Sequence, residues 1–248
     1  MCDVSIILPY YKKKKFIKNT INSVLAQTYK NFEIIIIYDD EDKSELELIK
    51  SISNSDKRIK LIINNNNLGA GYSRNIGINS ALGNYISFLD ADDLWKYDKL
   101  FKQIKFMKEN DYHATHTSYE IIDDNNKLIS LRKAKNFQNY KELLPSCDIG
   151  LSTVIVKKKI FANGIKFPNL KTKEDFVVWL EILRKGYKIY SLDEYLVSWV
   201  KSKNSLSSSS FQKLKDSFTL YNNFMKFNFM KSVYYTFILS VNFIKKNL

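Results

Sequence analysis

The chain has 248 residues, 45% of them hydrophobic, enough to bury a substantial core and too apolar for a disordered segment. Lys and Arg total 39 against 26 acids, a net charge of +13 that points to an anionic partner such as nucleic acid, anionic lipid or a phosphorylated small molecule. Two cysteines exclude a disulfide framework, no Cys/His spacing suggests zinc, no apolar run approaches the roughly 20 residues of a membrane span, and the N-terminus carries no signal-peptide pattern, so a reduced, cytosolic setting is expected.

The first half alternates two kinds of segment. VSIILP, from Val4 to Pro9, is a continuous apolar run of buried-strand type, and FIKNTINSVLAQT after it places Ile17, Ile21, Val24, Leu25 and Thr28 on one helical face. FEIIIIY is a second buried strand, SELELIKSIS a helix with Leu46, Ile49 and Ile52 inward, and IKLIIN a third strand. GAGYSRNIGINSAL reads as a loop entering a helix, and YISFL as a fourth strand. Apolar strands alternating with amphipathic helices predict βαβ units and a mainly parallel sheet covered on both faces.

The second half is less regular. HATHTSYEIID and KLISLRK, joined by the turn-rich DNNK, predict a hairpin, and LSTVIVK a further strand. KEDFVVWLEILRKG predicts a helix with Phe176, Val177, Leu180 and Leu183 inward and Gly186 as its C-terminal stop. YKIYSL is strand-like, the serine run Ser207 to Ser210 marks a boundary, and two amphipathic, aromatic-rich helical segments follow. His113 and His116 fit no motif and read as structural.

In open α/β sheets, ligands bind outside the carboxyl ends of the strands. Pro9, Tyr10 and Tyr11 follow the first strand, Asp39 and Asp40 the second, and Asp90, Ala91 and Asp92 the fourth, so aromatic and acidic groups converge on one rim. Two carboxylates two residues apart can hold Mn2+ or Mg2+ together with phosphate oxygens. Alone, the pattern competes with Asp92 or Asp93 acting as a helix N-cap; the shared rim with Asp39 favours a ligand. NNLGAGYSRNIG presents Arg74 at a helix entry, suited to an anion, and is neither a Walker loop nor a dinucleotide fingerprint.

VSIILPYYKKKKFIKNTINSVLAQTYKNFEIIIIYDD, NLGAGYSRNIGINSALGNYISFLDADDLW and KEDFVVWLEILRKG resemble glycosyltransferase family 2 over roughly Val4 to Ser208. The resemblance implies a GT-A fold, a Rossmann-like, mainly parallel sheet flanked by helices, and transfer of a sugar from a nucleotide donor with inversion. It implies that Pro9 and Tyr11 line the nucleobase pocket, that Asp39 hydrogen-bonds the base with Asp40 as its neighbour, and that Arg74 lies near base or diphosphate. Asp90 would contact ribose, Ala91 would lie between the two acids of the donor motif, Asp92 would hold the metal, and Asp175 of the Glu174–Asp175 pair would be the general base. Two departures stand out: Tyr38 replaces an aspartate of V-D-D-G-S, and Val200 and Ser202 stand where Arg and His are usual, which leaves any phosphate contact there to Lys201 or Lys203.

The expected protein is therefore a metal-dependent, inverting glycosyltransferase, moving a hexosyl or N-acetylhexosaminyl group from a UDP-sugar to a glycan or lipid-linked acceptor in bacterial surface-glycan synthesis. Residues 1–208 would form the catalytic domain, with a donor half to 95 and an acceptor half from 96, and residues 209–248 a helical extension. That extension would either pack on the domain, or make a homodimer contact, or lie on anionic lipid at the cytoplasmic face of the inner membrane. Two rival classes are weaker. A nucleotidyltransferase that makes nucleotide sugars would need a glycine in PYYKKKKF, and a nucleic-acid-binding protein would leave the acidic rim without a purpose.

Overall fold

The computed structural model describes residues 2–201 and 210–246. The proposed boundary at 208, and with it Ser202 and Lys203, lies outside the described residues.

The apolar segments form the strands and helices expected of them. In chain order the elements are β1 (Val4–Tyr10), α1 (Ile17–Leu25), β2 (Phe32–Tyr38), α2 (Leu46–Asn54), β3 (Ile59–Ile63), α3 (Ala70–Ser80), β4 (Tyr85–Phe88), β5 (Leu94–Trp95) and α4 (Lys99–Glu109). There follow β6 (Ala114–Ile122), β7 (Leu128–Arg132), α5 (Tyr140–Leu143), β8 (Ile155–Lys157), α6 (Glu174–Arg184), β9 (Tyr190–Val200), α7 (Ser210–Thr219) and α8 (Phe229–Lys245). The strands make one sheet in the order β3-β2-β1-β4-β8-β6-β9-β5, with β7 on β6. From β3 to β4 all pairings are parallel; β8 then runs antiparallel to both β4 and β6, while β6 and β9 are parallel.

Successive side chains of β2 point to opposite faces, and both faces are covered. Phe32, Ile34, Ile36 and Tyr38 meet α1, α2 and α4, while Ile35 and Ile37 face α3 and α6. This explains why the strands are apolar throughout rather than alternating. The hairpin β6–β7 forms as expected. β9 is longer than YKIYSL suggests, because its ladder along β6 continues to Val200 despite Asp193 and Glu194. Leu220, Tyr221 and Met225 between α7 and α8, and Leu239 of α8, enter the same core as Trp179 and Phe176, so the α7–α8 connection and one side of α8 pack on the sheet's helical layer.

Candidate active site

β1, β2 and β4 are parallel neighbours, so their carboxyl ends share one edge, and the rim residues read from the sequence are brought together there. Pro9 lies within β1, opposite Ile37, and Tyr11 follows it with the Lys12 ammonium 5.2 Å from its ring centroid. Tyr10 is buried, stacks on Tyr38 at 5.6 Å between centroids, and donates to Glu45 at 2.5 Å. Tyr38, which replaces an aspartate of the family pattern, donates instead to the carbonyl of Asp42 at 2.7 Å. The position has exchanged a carboxylate for an aromatic wall.

Asp39 is buried and organises a loop. Its Oδ1 accepts from Asn64 Nδ2 at 2.7 Å and Leu68 N at 2.8 Å, and its Oδ2 from Gly69 N at 2.8 Å. Gly69, with φ of 86°, takes the left-handed turn that lets two successive N–H groups reach one carboxylate before α3 begins. Asp40 accepts from Asp42 N at 3.2 Å. Base contact by Asp39 is thus compatible with its position, and positioning of the Asn64–Gly69 loop is what the bonds provide.

Arg74 is carried one turn into α3 and is only 3% exposed. Its Nη2 donates to Asp90 at 2.8 Å and its Nη1 to Glu174 at 2.6 Å, while its plane lies 5.4 Å from the Phe167 centroid. A buried guanidinium between two carboxylates satisfies their charge and is satisfied by them. Among the described residues its Nε has no hydrogen-bond partner. This pairing joins the end of β4 to the start of α6 through an arginine that lies 100 residues before Glu174 in sequence.

After β4, the DADD segment curls inward. The Ala91 carbonyl accepts from Thr20 Oγ1 at 3.0 Å, and Asp93 is fully enclosed, accepting from Ser152 Oγ and from Val200 N at 3.1 Å. Neither Asp92 nor Asp93 caps a helix: α4 begins only at Lys99, with Asp98 at its N-cap position. Burial raises the Asp92 carboxyl, against the pull of Lys13, whose Nζ sits 2.5 Å away. Lys13 therefore lies on the same rim, a placement the sequence pattern did not single out although the KKKK run was its signal.

Asp92 with Asp90 offers hard oxygen donors at a desolvated position where a cation already stands, in the form of the Lys13 ammonium. That donor set fits Mn2+ or Mg2+, which complete their shells with water and phosphate oxygens. Among the described residues no group of three or more His, Cys, Asp or Glu gathers, so the protein would supply one or two ligands.

α6 opens with Glu174 and Asp175 after Lys173 in the left-handed region, φ 70°. Asp175 Oδ1 accepts from Phe176 N at 2.7 Å. Burial, and then the neighbouring Glu174, raise its carboxyl to about 6, while Arg74 and Lys173 hold it from going higher. A carboxylate so tuned is ionised at neutral pH and a stronger base than an exposed aspartate. Trp179 and Leu183 pack behind it in the core, as the helical spacing requires. Of the residues expected to contact phosphate after β9, Lys201 donates its backbone N–H to Ile122 and lies at the end of the described segment. His116 is a core residue bonded to the Lys135 carbonyl at 2.8 Å. A separate concavity of about 730 Å³ lies outside α3, lined among others by Tyr72, Asn79, Lys159, Phe161 and Lys166; none of the rim residues lines it.

The sequence pattern of Glycosyl transferase family 2 matches residues 5–163. A Bacillus subtilis glycosyltransferase named for teichuronic acid biosynthesis, TuaG, is 32% identical over 246 residues, covering 99% of this chain and 97% of its own. An Escherichia coli protein named UDP-Glc:alpha-D-GlcNAc-diphosphoundecaprenol beta-1,3-glucosyltransferase, WfgD, is 36% identical, covering 98% of this chain and 94% of its own. Among solved structures, Staphylococcus aureus TarS 1–349 with UDP-GlcNAc superposes with TM-score 0.71 at 20% identity, over 93% of this chain and 69% of that one. The mannosyltransferase PcManGT of Pyrobaculum calidifontis with GDP-Man and Mn2+ gives 0.70 at 13% identity, over 94% and 69%. These two likenesses carry the fold, GT-A. The chain is a glycosyltransferase and belongs to glycosyltransferase family 2.

Proposed function

We propose that this enzyme transfers a sugar from a UDP-sugar, with inversion, to a hydroxyl of a lipid-linked acceptor in surface-polysaccharide synthesis, at the cytoplasmic face of a membrane. The observation that carries this reading is the Arg74 bridge, which brings the donor-side Asp90 and the start of α6 to within one guanidinium of each other. The names of TuaG and WfgD support the acceptor class, and the UDP-GlcNAc complex of TarS supports the donor.

Pro9 and Tyr11 border the nucleobase, with Asp39 fixing the loop that closes on it. Asp175 takes the proton from the acceptor hydroxyl as that oxygen attacks the anomeric carbon. The bond from the anomeric carbon to the diphosphate breaks in the same displacement, and its electron pair leaves with the diphosphate. Lys13 and Arg74 contribute positive charge on the side where negative charge grows. A divalent ion held by Asp92, with Asp90 beside it, would neutralise charge on the departing diphosphate. Enclosure of Asp93 and Trp95 behind this segment keeps it rigid.

A hydrolysis panel of UDP-, GDP- and dTDP-sugars, with and without chelator, tests the reading. UDP-sugars should turn over fastest and lose turnover in chelator until Mn2+ is restored. Preference for GDP- or dTDP-sugars would overturn the donor assignment, and full activity in chelator the metal assignment.

A further inference from the structure

α8 has two unlike sides. Ser232 and Leu239 face inward, with Asn242 Nδ2 donating to the Pro145 carbonyl at 2.9 Å. The opposite side exposes Met230, Val233, Tyr234, Phe237 and Ile244, a single stripe at helical spacing, with Phe211 of α7 exposed as well. Met230 is 81% and Phe237 66% exposed, which a helix packed only on its own domain does not require.

Charge decides what covers this face. Across residues 210–246 there are lysines at 213, 215, 226, 231, 245 and 246 and one acid, Asp216. Asp216 is buried and accepts from Thr172 N at 2.8 Å and Thr172 Oγ1 at 2.9 Å, so it offsets nothing outside. A second copy would bring like charge against like. An apolar stripe flanked by lysines instead matches the acyl boundary and anionic headgroups of a bilayer.

A cationic cluster gathers at the far end of α8. Lys246 ion-pairs with Asp148, Lys135 joins the same carboxylate at 2.7 Å, and Arg132 donates to the Lys246 carbonyl at 2.7 Å. Lys246 Nζ also lies 3.5 Å from the Cys147 carbonyl, and the Cys147 thiol is pushed up to about 12, by burial first and then by Asp175. Burial, followed by repulsion from Lys135 and Arg132, lowers Lys246, which marks a cationic cluster with one acid among it.

We propose that the exposed face of α8 seats the enzyme on an anionic bilayer, with the Lys135–Lys246 cluster at the end of that helix placed to meet the phosphate groups of a membrane-anchored acceptor. This rests on the lipid-linked acceptor reading above.

Co-sedimentation with phosphatidylglycerol-containing and pure phosphatidylcholine vesicles tests the surface. The full chain should bind the anionic vesicles, less as salt rises, and Met230→Glu/Phe237→Glu should weaken binding at least tenfold. Met230→Ser/Phe237→Ser, milder and equally exposed, should weaken it in the same direction, with thermal melting confirming the fold. Sedimentation equal to wild type, or a variant that only converts dimer to monomer in light scattering, overturns the surface.

The cluster is tested by calorimetry at saturating UDP. Geranyl diphosphate should bind at least tenfold tighter than geraniol, and Lys135→Gln/Lys246→Gln should erase the difference; equal affinities overturn it. Failure of UDP itself to bind would sink the donor reading and leave the vesicle result standing, whereas UDP binding without vesicle binding sinks the docking face alone.

Discussion

At the residue scale, the proposed chemistry turns on one carboxylate and its neighbours. Asp175→Asn keeps shape and removes the proton acceptor, so UDP affinity measured by calorimetry should stay near wild type while transfer falls by about 10²–10⁴. Because burial raises its carboxyl to about 6, the working form is the ionised one, present above that pH. The rate of transfer at saturating substrates should therefore fall as pH drops through about 6 and level off above it. A flat profile in Asp175→Asn would assign the titration to this residue. Asp92→Asn should weaken metal-dependent UDP binding and leave thermal stability nearly unchanged, since this carboxylate's bond is to the flexible Lys13. The sequence pattern singled out Asp90 and Asp92, because acids at a strand end are unusual against apolar neighbours, while Asp175 was singled out by the family resemblance. The pattern did not expose Lys13, nor the pairing of Arg74 with Glu174. Those are side-chain contacts between distant segments, to which no periodicity is sensitive.

At the element scale, α3 shows how closely the site is held to the sheet. A Cβ on Gly77 would come within 2.5 Å of Ile7 Cγ2 and 3.1 Å of Ile37 Cδ1, both fully buried side chains. Gly77→Ala gains helix propensity, roughly 1 kcal/mol, but overpacking of this kind costs about 1–3 kcal/mol. The net effect expected in urea unfolding is a loss of up to about 2 kcal/mol, together with weaker UDP binding as α3 shifts and carries Arg74 with it. The βαβ half was legible because strands buried on both faces are apolar without interruption. β5 and the second part of β9 were not: β5 is two residues long, and β9 keeps its acids while taking its ladder from β6, some 75 residues earlier.

At the scale of the whole molecule, stability and architecture can be tested together. His116 is buried, and burial, ahead of the repulsion from Lys135, lowers it to about 4 from an ordinary value near 6.5. The unfolded chain therefore binds a proton between pH 6.5 and 4 that the folded one refuses, so stability from this residue is intact above 6.5 and lost as pH falls toward 4. The loss is on the order of 3 kcal/mol, and the difference between wild type and His116→Gln in denaturant midpoints across that window should reveal it. The Arg74 bridge has a consequence for recombination between relatives. Its three members come from α3, the end of β4 and the start of α6, so a crossover placed between β5 and α6 inherits the arginine and Asp90 from one parent and position 174 from the other. A donor half and an acceptor half are thus exchangeable only between parents that agree at one residue. Chimeras that lack a carboxylate there should express poorly, and restoring glutamate at that single position should recover them.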